Sequence, residues 1–235
     1  MILFPLSAAL ISLACAAIAA RRYWARRRPH ELCWSIAFGF FALGAAAATA
    51  GYLAGWTPLL VRLFYVSGAI LTTGFLGLGS LYILAGQRLD RWGAGVMLAL
   101  TALAFAFVFN TPVDEARLGE AWDALEREGT PTRLLTIITN IAGTLIVVGG
   151  ALYSIYAGLR RGMPRGRALG LLLIAAGTLI VASGSSLKEA FGNSILLFVP
   201  MAPGVLIILL GYLQANRAGR PAPAGTAVAG GGAAT

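Results

Sequence analysis

The chain has 235 residues, of which 58% are hydrophobic and 11% charged, with a formal net charge of +9 and a mean hydropathy of +0.80. A soluble domain carries about 25% charged residues, and a chain of this length has too little interior to hide so much apolar surface from water. Nucleic-acid binding is excluded as well, because the basic residues sit in short bursts between apolar runs, the pattern of loops facing an anionic inner leaflet.

A helix rising about 1.5 Å per residue needs about 20 apolar residues to cross a hydrocarbon core roughly 30 Å thick. Seven uncharged segments meet or approach that length: Ile2–Ala20, Leu32–Ala54, Phe64–Ala85, Trp92–Phe109, Leu134–Ala157, Ala168–Leu187 and Ile195–Leu213. In the first, the positive charges follow the apolar run, whereas a secretory signal places them before it. It therefore reads as an uncleaved helix with its N-terminus outside. Ser12-Leu13-Ala14-Cys15 loosely resembles a lipoprotein cleavage box, but its first position lacks the usual leucine; processing there would leave six helices. Cys15 and Cys33 lie in apolar runs and lack metal-ligand spacing. Trp24, Trp34, Trp56 and Trp92 stand at or just beyond segment ends, where an indole prefers the headgroup region.

One long polar connection runs from Asn110 to Arg133. Thr111-Pro112 reads as a cap followed by proline, and Asp114 and Glu115 suit the positive end of a helix dipole. Leu118, Trp122 and Leu125 recur at helical spacing, and Gly129 and Pro131 end the run. A short amphipathic helix over about 112–129 is predicted, lying across the outer mouth of the bundle with Trp122 inward; a plain helical spacer fits equally well.

The orientation follows from the basic residues. Alternate connections share a side of the membrane, and one set holds thirteen: Arg21, Arg22, Arg26, Arg27, Arg28, Arg88, Arg91, Arg160, Arg161, Arg165, Arg167, Arg217 and Arg220. The other holds five: Arg62, Arg117, Arg127, Arg133 and Lys188. The basic side is expected to be cytoplasmic. The predicted fold is thus an all-α integral membrane protein, a seven-transmembrane helix bundle over 1–216, with the N-terminus outside and the C-terminus cytoplasmic. The small-residue tail over 217–235 reads as disordered.

Two internal offsets stand out. Arg62-Leu63, Gly79 and Leu81-Tyr82 recur 71 residues later, and Gly44 and Gly51 recur 133 residues later as Gly177 and Gly184. Only the second suits a 3+1+3 arrangement of parallel repeats.

Enzymatic readings lack parts. His30, the one histidine, falls in the first basic connection, no carboxylate lies inside an apolar segment, and no phosphate loop, metal cluster or nucleophile elbow is present. No catalytic residue, metal site or cofactor is assigned. Lys188, the only lysine, sits beside Glu189 at a segment end, unsuited to a retinal Schiff base, and the pair reads as an interfacial polar turn.

Polar side chains within the crossings are more informative, since each needs a partner away from water. Thr136, Asn140 and Thr144 form a stripe at i, i+4, i+8; Tyr65 and Thr72 recur at i+7; Thr73 lies beside them; Thr178 and Ser183 add hydroxyls; Pro200 and Pro203 interrupt the last segment. The bland reading of such groups is interhelical packing. The functional one is a ligand site formed by Asn140, Thr136, Thr144, Tyr65, Thr72, Thr73, Ser183, Pro200 and Pro203, taking a small neutral solute. The competing expectation is a non-transporting bundle that senses the bilayer or assembles with a membrane-protein partner or a second copy.

Overall fold

Proline and threonine set where the helices begin. Pro29, Pro58 and Pro131 occupy first helical positions, where a missing N–H costs nothing. Thr57 Oγ1 accepts from the Leu60 amide at 3.3 Å, and Thr130 Oγ1 from the Arg133 amide at 3.4 Å. A computed structural model describes residues 2–85, 90–120, 124–125, 130–193 and 195–217. Among these, every regular element is helical and seven helices are long and apolar enough to span a membrane.

We label them α1 (Leu3–Arg26), α2 (Pro29–Ala54), α3 (Pro58–Leu63, continuing as a π-helix over Phe64–Leu71 and an α-helix over Thr72–Ala85), α4 (Asp90–Asn110), α5 (Pro131–Leu159), α6 (Arg165–Phe191) and α7 (Ile195–Phe198 and Met201–Arg217). Most run about a turn beyond the apolar segments. Hydropathy marks only hydrocarbon depth, whereas the helices continue into their polar flanks. The connection between α1 and α2 shrinks to Arg27-Arg28, so His30 and Glu31 belong to the first turn of α2 rather than to a loop.

Six helices form a ring in which α1 packs on α2, α2 on α3, α3 on α5, α5 on α6, α6 on α7, and α7 again on α1. The fourth helix stands outside, against α3 and α5. Relabelling α1, α2 and α3 as α5, α6 and α7, and the reverse, preserves each neighbour within the ring, though not the packing of α4, and is the relation that the 133-residue offset describes. Its glycines do equivalent work. A Cβ on Gly44 would lie 2.8 Å from the Gly68 Cα in α3, and one on Gly177 would lie 2.6 Å from the Gly204 carbonyl oxygen in α7. In both triplets the middle helix meets the third with backbones nearly touching.

The segment between α4 and α5 departs from the predicted amphipathic helix. Thr111 is not a cap: its hydroxyl donates to the Phe107 carbonyl at 2.8 Å and lies 2.6 Å from the Thr132 hydroxyl, tying α4 to α5. Among the described residues that follow, a 3₁₀ stretch, Glu115–Glu120, is the regular element before α5. The Asp114 amide donates to the Ala124 carbonyl at 2.9 Å, and Leu125 is buried, so the segment folds back on itself. Trp122 and most of the predicted C-terminal half lie outside the described residues, as does the tail from 218 onward.

Tryptophan placement is mixed. Trp24 and Trp92 are exposed, as headgroup anchors would be, but Trp34 is buried with its ring centroid 5.6 Å from that of Tyr212. The hydroxyl of Tyr212 donates to a carboxylate oxygen of Glu31, which is 2% exposed, while the Arg22 guanidinium lies 4.7 Å from the Tyr212 ring centroid. A carboxylate that lies outside the apolar segments of the sequence is therefore buried in the bundle at its arginine-rich end.

Candidate functional site

Away from the arginine-rich end, the ring opens around a cavity of about 300 Å³. Near that end it closes: Val147 and Ile174 are buried, and a Cβ on Gly150 would lie 3.0 Å from the Leu84 Cδ1. The cavity is walled by α2, α3, α5, α6 and α7. Phe38, Phe41 and Phe64 are among its apolar lining.

The π-helical turn of α3 forms one wall. Carbonyls of this stretch take hydrogen bonds from side chains. Thr72 Oγ1 donates to the Ser67 carbonyl at 2.7 Å, and Asn140 Nδ2 reaches from α5 to the Ala69 carbonyl at 2.8 Å. A second proton of the same amide goes to the Thr136 carbonyl at 2.9 Å. Two carbonyls can be met only by an NH₂ group, so the amide orientation is fixed by chemistry. Asn140 therefore ties α5 to the π turn with one proton and back-bonds its own helix with the other, and its Oδ1 accepts no hydrogen bond among the described residues; the residue lines the cavity. Asn140→Leu should cost about 1–2 kcal/mol by leaving the Ala69 carbonyl only the long 3.5 Å side-chain hydrogen bond from Thr73 Oγ1, read as a lowered midpoint of thermal unfolding in detergent.

Five of the predicted residues line this cavity together: Asn140, Thr136, Thr144, Thr72 and Thr73. The other four do not. Tyr65 is fully buried with its ring edge-on to Phe64. The physical reason is the π turn: its i→i+5 bonding takes up an extra residue, so seven positions no longer close two turns and Tyr65 loses the face of Thr72. Ser183 donates to the Ile180 carbonyl at 2.7 Å, outside the cavity wall. Pro200 breaks α7 but is buried against Gly184, and Pro203 sits exposed in the first turn after the break.

Three polar residues were missing from the predicted set. Thr178, Ser185 and Glu189 line the cavity from α6, with Glu189 exposed where the helix ends. Their spacing of seven and four residues marks one helical face, a signal present in the sequence. Reading Lys188 and Glu189 as a single polar turn hid it, since adjacent residues point apart: Lys188 is buried, while Glu189 reaches the cavity mouth.

Ile137 and Ile141 also line the cavity, yet are 43% and 58% exposed. On the α5 side the wall is thus a single side chain thick, with the outer surface of the bundle beyond. Between Gly77 and Gly143 the α3 and α5 backbones come close, a Cβ on Gly143 lying 2.6 Å from the Thr73 carbonyl oxygen, so the cavity floor is held by backbone contact. No family model, curated protein or solved structure matches this chain.

Proposed function

We propose that this chain is a multi-pass protein of the plasma (inner) membrane that binds, or lets pass, a small neutral solute in the cavity between α2, α3, α5, α6 and α7. The observation that carries the reading is the cavity itself. Close-packed bundles seldom hold voids larger than a water, whereas about 300 Å³ with apolar walls and a few convergent polar groups matches the smaller ligand sites. Interrupted helices beside such a space, here the π turn of α3 and the break at Pro200 in α7, recur in transporters.

The arginine tally supports an arrangement with the N-terminus outside and the C-terminus cytoplasmic, which puts the arginine-rich end against anionic inner-leaflet lipids. Arg27 and Arg160 stacked on Trp24 and Tyr156 fit that interface. The cavity then lies in the outer half of the membrane.

One observation favours a second reading, a non-transporting bundle that senses the bilayer or assembles with another membrane protein: both amide protons of Asn140 are committed to backbone. Uptake of neutral solutes graded by size into liposomes holding the full chain separates the two. The first reading predicts uptake that Ala182→Phe, which fills the cavity from α6, lowers at least about tenfold with folding intact. Uptake no faster than in protein-free liposomes, with a stoichiometric protein partner co-purifying, would favour the second.

A further inference from the structure

Resting on the reading of the cavity as a binding site, we infer that its ligand is an amphiphile whose polar end donates a hydrogen bond, such as an alcohol or amine on a short apolar chain. The direction of each hydrogen bond in the wall carries this. Thr136 Oγ1 donates to the Thr132 carbonyl at 2.9 Å, Thr178 Oγ1 to the Ile174 carbonyl at 2.8 Å, and Ser185 Oγ to the Ala182 carbonyl at 3.1 Å. Thr72 and Thr73 likewise give their protons to carbonyls of α3. Back-bonded hydroxyls of this kind keep only lone pairs for the cavity.

Asn140 follows the same rule, both protons spent and Oδ1 left open. Thr144, one turn further along α5, makes no side-chain hydrogen bond among the described residues. The wall therefore offers acceptors almost throughout, and a ligand that only accepts would find Thr144 alone. The carboxylate of Glu189 at the mouth adds to this polarity and disfavours anions.

The remaining walls say what the rest of the ligand is. The three buried phenylalanine rings present hydrocarbon inward, and the exposed Ile137 and Ile141 present it both inward and to the bundle surface, so an apolar chain can enter sideways past α5 from lipid. At about 30 Å³ per water-sized group, the space holds about ten heavy atoms.

The test is equilibrium binding of labelled octanol, octylamine, methyl heptyl ether and octanoate to the full chain in lipid nanodiscs. Uptake by the Ala182→Phe variant is subtracted as bilayer partition. Octanol and octylamine should bind at least about tenfold more tightly than the ether, octanoate should not bind, and Thr144→Val should lower octanol affinity several-fold. The threonine is the chosen site because it clamps no backbone, so its variant should fold where Asn140→Leu is weakened. Equal binding of ether and octanol, or tight binding of octanoate, would overturn the donor rule while leaving the cavity a ligand site. No saturable binding of any probe above the filled variant would overturn both.

Discussion

Gly177→Ala should leave little folded protein, a loss of about 3 kcal/mol, at the upper end of what overpacking costs. The added methyl would lie 2.6 Å from the Gly204 carbonyl oxygen and 2.9 Å from the Ile208 amide nitrogen. Both are backbone atoms, which cannot rotate aside as a side chain can. Seven residues away on either side the contact repeats: a Cβ on Gly170 would meet the Ala215 amide nitrogen at 2.4 Å, and one on Gly184 the Leu197 carbonyl oxygen at 2.6 Å. Parting the helices at Gly177 would loosen the seam along its length. Gly149→Ala is the control, since a Cβ there meets nothing within 4 Å. It should be neutral or stabilising by up to about 1 kcal/mol, because alanine is the better helix former. Melting of both variants in one detergent compares them directly; similar midpoints would contradict the seam.

Tyr212→Phe is the second large expectation. Glu31 is 2% exposed and takes its hydrogen bond from the Tyr212 hydroxyl, so the phenylalanine variant leaves a buried carboxylate without that donor. A hydrogen bond to a charged group contributes about 1.5–3 kcal/mol, and the variant should lose about 2 kcal/mol. His30, whose Nε2 stands 3.8 Å from the other carboxylate oxygen, is too distant to replace it with a hydrogen bond. Removing both polar partners should do less harm than removing one, so Glu31→Leu combined with Tyr212→Phe is expected to be more stable than Tyr212→Phe alone. A double variant at least as unstable as the single would show that the hydroxyl is not what satisfies Glu31.

The seven spans were legible because hydrocarbon thickness imposes a length and charge-free composition that no other environment demands. Their polar ends were less so. Glu31 reads as loop from hydropathy, yet a helix beginning at Pro29 and a tyrosine from the far end of the chain bury it, a contact 181 residues apart that no local pattern reveals. The stripe of Thr136, Asn140 and Thr144 was legible from spacing alone, and the three line one cavity. What Asn140 does there was not, since its partner, the Ala69 carbonyl, lies on another helix 71 residues away in the chain. The π turn of α3 explains Tyr65. A side chain's face was inferred from α-helical period, and the period changes between Phe64 and Leu71. Glu189 illustrates the converse, a residue whose phase with Thr178 and Ser185 was present in the sequence but masked by the polarity of its neighbour.

The most direct test of the cavity is an experimental structure of the full chain in a lipid environment. Open space between Asn140 and Thr178 is expected, holding ordered non-protein density, with Ile141 forming a wall one side chain thick. Direct packing of Ile141 on Val181, leaving no room for a water between α5 and α6, would contradict that expectation.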